Sequence, residues 1–174
     1  MSDKTVFETE WFSIEKESFT QLSNLDNKPF YRLNIPDGVV VLALTPEKKF
    51  ILVKQYRPAL RDYTLELPSG EIEKGEPLDQ AIKRELFEET GYHCNTMTYV
   101  GFGRVMSSRS PMKLHAFIGL DAVMTPHFKA KEDIEVLLVD HEEFKSLVLN
   151  QQFQQWFGVS LLLIASWKYP HLSI

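Results

Sequence analysis

Apolar positions along this chain change their period several times, and each change marks an element. Residues 11–19 and 30–34 are rich in aromatic and β-branched side chains, residues 39–44 form an apolar run, and residues 50–55 follow the turn-forming Thr45-Pro46-Glu47-Lys48-Lys49. All four blocks predict strands, the last two joined as a hairpin. Leu65-Glu66-Leu67 then leads to a turn at Pro68-Ser69-Gly70, after which the period becomes helical from Leu78 to Thr90. Pro77 at the first position and Gly91 just past the end mark the limits of that helix. Strand-like blocks resume at residues 96–105, 114–120 and 134–139. Asp140 and Glu143 have the spacing of a capping box and open a second helical region. Residues 155–168 predict a last helix, with Trp156, Val159, Leu163 and Trp167 at helical spacing. Strands, one central helix, more strands and closing helices predict an α/β protein in which mixed sheets pack against helices.

Composition narrows the class. A chain of 174 residues, 44% hydrophobic and 25% charged, has the length and apolar content of one globular domain, and no repeat, low-complexity tract or Pro/Gly/Ser-rich linker divides it. The net charge of −5 argues against nucleic acid as a partner, since that grip needs a concentrated excess of Lys and Arg. Small anionic substrates stay open if a metal ion supplies positive charge. Cys94 is the single cysteine, so no disulfide forms within the chain and a reducing compartment is expected. The amino terminus lacks an apolar export segment, and the longest apolar stretch, residues 159–167, is far shorter than the roughly 20 residues that cross a bilayer. The expectation is a cytoplasmic protein without a membrane span. His93, His115, His127, His141 and His171 show no zinc-site spacing.

Projecting residues 78–90 at roughly 100° per residue puts Ala81, Ile82 and Leu86 within about 80° of Leu78, with Gln80 and Lys83 turned away. Glu85 and Glu89 lie within about 20° of Leu78, and Glu88 sits at the edge of that apolar stripe. Three carboxylates therefore face inward. Like charges at this spacing repel even on an exposed helix, and burial adds several kcal/mol more unless a cation compensates. Carboxylate oxygens so placed can converge on Mg²⁺, which keeps several waters and shares its remaining sites with phosphates; Mn²⁺ accepts the same oxygen-rich site. Gly70 and Gly75 let the preceding loop fold back against the helix, Gly75 serving equally well as an ordinary turn residue. Arg84 is placed to pair with Glu76 and hold that loop.

Gly70, five residues, Glu76, seven residues, Arg84-Glu85-Leu86, Glu88-Glu89 and Gly91 resemble the Nudix box at every charged and glycine position over 23 residues. Tyr92 stands where that family carries an aliphatic residue. The resemblance implies the Nudix fold, an α/β/α sandwich around a mixed β-sheet, as a single domain with an amino-terminal strand extension over about residues 1–36 and a core over about 37–174. It implies attack of water on phosphorus in a nucleoside diphosphate linked to a second group. Glu85, Glu88, Glu89 and the Ser69 carbonyl become ligands of Mg²⁺ or Mn²⁺, with Glu88 and Glu89 in the catalytic constellation. Gly70, Glu76, Arg84 and Gly91 take structural roles. In similar ADP-ribose pyrophosphatases a loop acid after the last core strands serves as base or further metal ligand. Glu132 is the first choice here and Asp133 the second, the plain alternative being solvated loop acids.

Val53-Lys54-Gln55-Tyr56-Arg57-Pro58, followed by Leu65-Glu66-Leu67-Pro68-Ser69-Gly70, is similar to the run that precedes the box in ADP-ribose and nucleoside-diphosphate-sugar pyrophosphatases. That similarity implies Arg57 at a substrate phosphate, which a planar guanidinium grips with paired hydrogen bonds. Glu66 stands either beside the metal site or paired with a basic neighbour. Ser107 occupies the place of a proline in that subgroup, so Ser107-Ser108-Arg109-Ser110-Pro111 reads either as an altered specificity loop, with Arg109 at a phosphate, or as an ordinary loop. Relatives of this type are commonly homodimers that exchange amino-terminal strands. Trp11, Phe12, Phe30 and Tyr31 can serve such an interface or stack on a base, with core packing the readier expectation for most of them. The expected reaction is metal-dependent cleavage of a nucleoside diphosphate sugar such as ADP-ribose to a nucleoside monophosphate and a sugar phosphate. Two other readings stand beside it: a Nudix hydrolase of a dinucleoside polyphosphate or nucleoside triphosphate, and a non-catalytic nucleotide-sensing module, against which the intact carboxylate triad argues.

Overall fold

A computed structural model describes residues 4–18, 28–129 and 133–170. Its elements in chain order are β1 (Lys4–Glu8), β2 (Ser13–Ser18), β3 (Pro29–Asn34), β4 (Gly38–Ala43), β5 (Phe50–Arg57), β6 (Asp62–Glu66), β7 (Ser69–Glu71), α1 (Leu78–Thr90), β8 (Tyr92–His93), β9 (Met97–Gly103), β10 (Leu114–Gly119), β11 (Val123–Met124), β12 (Ile134–Val139), α2 (His141–Leu149) and α3 (Trp156–Lys168). Phe19 and His171 lie outside the described residues.

Strand β4 is buried along its whole length because alternate side chains enter two different cores. Val40 and Leu42 join Leu52, Leu67, Ile118, Phe144 and Leu161 on the side of α2 and α3. Val39, Val41 and Ala43 join Ile51, Ala81, Ile82, Leu86 and Phe117 on the side of α1. The result is helix, mixed sheet and helix in layers. One sheet runs β7-β4-β10-β9, with β4 and β10 parallel and the other pairs antiparallel. A second, β12-β5-β6, is antiparallel throughout.

The hairpin expected of β4 and β5 is absent. One bridge, Leu44 to Phe50, joins them; the edges of β4 are taken by β7 and β10, and those of β5 by β12 and β6. Ser69 and Gly70, expected in a turn, belong to β7 instead, because the Val41 N–H already bonds the Pro68 carbonyl at 3.0 Å and draws the chain into the ladder.

Helix α1 has the expected span, with Pro77 as its cap and Gly91 closing it in the left-handed region at φ 73°. The capping box of α2 forms in both directions, Glu143 N–H to Asp140 Oδ1 at 2.9 Å and Asp140 N–H to Glu143 Oε2 at 2.8 Å. The buried face of α3 is not the expected one. It consists of Gly158, Leu161 and Ala165, while Trp156 and Trp167 are 81% and 72% exposed. A helix apolar nearly all round does not announce its face by period, and here close approach decides: a Cβ on Gly158 would come within 2.7 Å of the Phe153 ring.

The first three strands form their own sheet, β1-β2-β3. Phe12 packs on Phe7 at 5.8 Å, but Trp11 is 65% exposed and Tyr31 is also exposed, so core packing fails for these two. The reason is that neither core extends to this sheet. Among the described residues no helix is long and apolar enough to cross a membrane. The larger core is pinned by a chain of rings, Phe50 to Phe144 at 5.2 Å and Phe144 to Phe153 at 4.8 Å. Phe144→Ala is expected to lower the unfolding free energy by about 3–5 kcal/mol, read from the urea midpoint at unchanged slope.

Candidate active site

Strand β7 is committed on both edges. Toward β4, the Val41 N–H bonds the Pro68 carbonyl and the Ile72 N–H bonds the Asp37 carbonyl, both at 3.0 Å. In an antiparallel ladder the alternate residues turn their N–H and C=O outward, which aims Ser69 and Glu71 at α1. The Ser69 N–H accordingly donates to Glu89 Oε2 at 3.0 Å, and the Glu71 carbonyl accepts from Arg84 Nη2 at 3.0 Å. By the same alternation the Ser69 carbonyl, the expected metal ligand, leaves β7 on the α1 edge. Gly70 lies between them with no room for a side chain: a Cβ there would sit 2.1 Å from the Glu85 carboxyl carbon.

The Arg84 fork fixes the loop as expected. Its Nε and Nη2 donate to the two Glu76 oxygens, each at 2.9 Å, and Glu76 also accepts from the Glu73 N–H at 3.0 Å. Bonding to Arg84 first, and to that backbone N–H second, holds the Glu76 carboxyl at about 2 and raises Arg84 further above its ordinary value.

The three α1 carboxylates are graded rather than equally inward. Glu89 is 6% exposed. Burial pushes its carboxyl up to about 7, with Glu85 and Glu66 adding to the rise and the Ser69 N–H and Arg57 opposing it. Glu85 is mostly covered and lies 2.6 Å from Arg84 Nη1. Glu88, placed at the stripe's edge by projection, is half-buried, 3.9 Å from the same nitrogen. Among the described residues no group of three His, Cys, Asp or Glu side chains is gathered as a metal site as it stands; Glu85 is drawn to Arg84 and Glu89 to Ser69. The donor set nevertheless fits a hard divalent cation. A buried carboxylate held up by burial and by two like charges is relieved by such an ion, and the ligands offered are all oxygens.

Arg57 and Glu66 enter the same site. Arg57 Nε and Nη2 donate to Glu66 at 2.7 and 2.5 Å, and the Thr64 hydroxyl donates to Glu66 Oε1 at 2.5 Å. Burial pushes the Glu66 carboxyl up, yet Arg57 and Thr64 together hold it below its ordinary value. Glu66 pairs with a basic neighbour, Arg57, and stands near enough to Glu89 to raise it. A cavity of about 270 Å³ opens beside it, lined by Leu60, Thr64, Leu65, Glu66, Gln154 and Gln155.

Other expected residues lie elsewhere. The Arg109 guanidinium stacks over the Phe30 ring at 5.0 Å, and its carbonyl accepts from the Leu33 N–H at 2.8 Å, so its loop is tied to the amino-terminal sheet. Glu132 lies outside the described residues, and Asp133 is exposed. Thr64 had no expected role and bonds Glu66 in the site, and Gln55, also without an expected role, lies opposite it on β5. The signal for Gln55 was the strand period itself, because side chains two apart share a face and Arg57 was already a candidate.

Comparison with known proteins agrees with this geometry. A model of the NUDIX domain matches residues 35–170. Over 120 residues the chain is 34% identical to an ADP-ribose pyrophosphatase of Bacillus subtilis (strain 168), covering 67% of this chain and 65% of that one. It is 60% identical over 42 residues to an ADP-sugar pyrophosphatase of Mus musculus, covering 24% and 19%. The chain therefore spans less than two thirds of the length of either relative. A crystal structure of an ADP compounds hydrolase, 20% identical, superposes with a TM-score of 0.82 over 98% of this chain and 93% of that one, which shows a shared fold. With a domain match running from the end of β3 past α3, over a sandwich in which the box residues lock β7 to α1, the chain belongs to the Nudix family.

Proposed function

We propose that this protein is a metal-dependent pyrophosphatase that splits a nucleoside diphosphate sugar, ADP-ribose or a close analogue, into a nucleoside monophosphate and a sugar phosphate. The observation that carries the reading is Glu89, a buried carboxylate pushed to about 7 on the edge where β7 presents the Ser69 carbonyl. The names of the Bacillus subtilis and Mus musculus relatives support the substrate class.

The Ser69 carbonyl, Glu85, Glu88 and Glu89 would hold Mg²⁺, or equally Mn²⁺, with Glu132 as a further ligand. When bound, the ion polarises phosphoryl oxygens and lowers the pKa of the attacking water. The remaining roles belong to side chains. Arg57 exchanges Glu66 for a substrate phosphate and orients it; Arg84 and Glu76 keep the loop and α1 in register; Glu132 takes the proton from water. The exposed aromatics of the β1-β2-β3 sheet fit a homodimer interface, and the single buried Cys94 fits a reducing, cytoplasmic setting.

The first test is product formation from ADP-ribose, other ADP-sugars, UDP- and GDP-sugars, diadenosine polyphosphates and nucleoside triphosphates, with magnesium and with chelator. Metal-dependent release of AMP and ribose 5-phosphate from ADP-ribose is expected; nucleotide binding without turnover of any member overturns the reading in favour of a sensor. Glu132→Gln is expected to lower kcat by about 10²–10⁴-fold, and near-wild-type turnover removes Glu132 from the chemistry. Glu89 also gives a pH test. Its folded value of about 7 lies above the unfolded 4.5, so its favourable protonated state contributes fully below pH 4.5 and is lost as pH rises through 7. Glu89→Gln is therefore expected to stabilise the metal-free protein at pH 8 by on the order of 3 kcal/mol, the gain vanishing toward pH 4.5 in urea titrations with chelator.

A further inference from the structure

Gln55 is 8% exposed, and its side-chain Nε2 has no hydrogen-bond partner among the described residues. Folded proteins rarely leave a buried amide donor unmade unless something else occupies it. Strand register gives its direction. Ile51 lies in the core beneath α1, and Val53 pairs with Val136, which packs on that same core. Two residues further along the uninterrupted ladder, Gln55 points to the α1 side, level with Thr64 on β6 and Ile134 on β12.

The same register explains what covers it. Arg57 stands opposite Asp62, whereas Glu66 stands opposite Val53, so the two ends of that ion pair originate four residues, or about 13 Å, apart along β5. To meet, the two side chains close a span on the face that Gln55 and Thr64 share. An anion drawn to the guanidinium is thereby delivered against the Gln55 amide. The site is otherwise crowded with Glu66, Glu85 and Glu89, so a diphosphate entering it needs donors.

We propose that Gln55 is a substrate-binding residue whose amide N–H groups bond the diphosphate oxygen that Arg57 attracts. This rests on the pyrophosphatase reading above for its substrate, but on the orphaned amide and the register for its position. Arg57 and Gln55 then form a two-donor clamp, one charged and one neutral.

The test uses Gln55→Met, which keeps the length of the side chain and removes the donors, and Gln55→Glu, which keeps the shape and replaces donors by acceptors. ADP-ribose binding is measured calorimetrically with chelator present, turnover with magnesium, and melting temperature for each. Binding and kcat/KM are expected to fall 10- to 100-fold in Gln55→Met and further in Gln55→Glu, with the melting temperature of Gln55→Met unchanged or higher, since the lost donor had no partner. Binding and turnover within twofold of wild type in either folded variant overturn the assignment. A wild type that binds without turnover, with binding weakened by both variants, defeats the hydrolase reading and supports Gln55. A wild type that binds no ADP-ribose defeats both.

Discussion

Strand β7 is three residues long, and the site depends on it bonding in two directions at once. One set of its backbone groups completes the ladder with β4, which fixes its height relative to both cores. The alternate set meets Glu89 and Arg84 of α1. Helix and sheet are thus joined by backbone hydrogen bonds as well as by apolar packing, and a shift of one residue in this register would exchange the two sets and remove Ser69 from Glu89. A Cβ at Gly70 would displace the Glu85 carboxylate, which lies where it would be.

Electrostatics at the site follow from that join. Arg84 satisfies Glu76 and Glu85, which leaves Glu89 as the carboxylate taken deepest, with a single backbone donor and no ion-pair contact among the described residues. Arg57 is close enough to help, yet its guanidinium is spent on Glu66. Burying an acid under these conditions is costly, and on the proposed reading a bound cation and a substrate phosphate would relieve that cost together. On that reading, stability of the metal-free protein and function would pull Glu89 in opposite directions.

Much of this was legible in the chain. The apolar period from Leu78, with Pro77 and Gly91 at its limits, defines α1 to the residue, and the Asp140–Glu143 spacing defines the start of α2. Both are local: caps and helical period depend on residues within one or two turns. The pairing of Arg84 with Glu76 follows the same logic. Where the local signal was ambiguous, the reading failed. Residues 39–44 and 50–55 look like a hairpin because nothing in either strand reports that β10, some seventy residues later, will pair with β4 in parallel. The apolar α3 carries no preferred face until Phe153 and Gly158 bring it close to the sheet.

What the sequence by itself determined was the Nudix box and the helix that presents its carboxylates, because box spacing and helical period act over short distances along one segment. Only the tertiary structure decided how deeply each carboxylate lies, that Arg57 of β5 pairs with Glu66 of β6, and that Arg109 turns to Phe30. Those outcomes depend on ladder register and layer packing between segments far apart in the chain, and a side chain's burial, which sets its charge, is a property of what packs over it rather than of its neighbours in sequence.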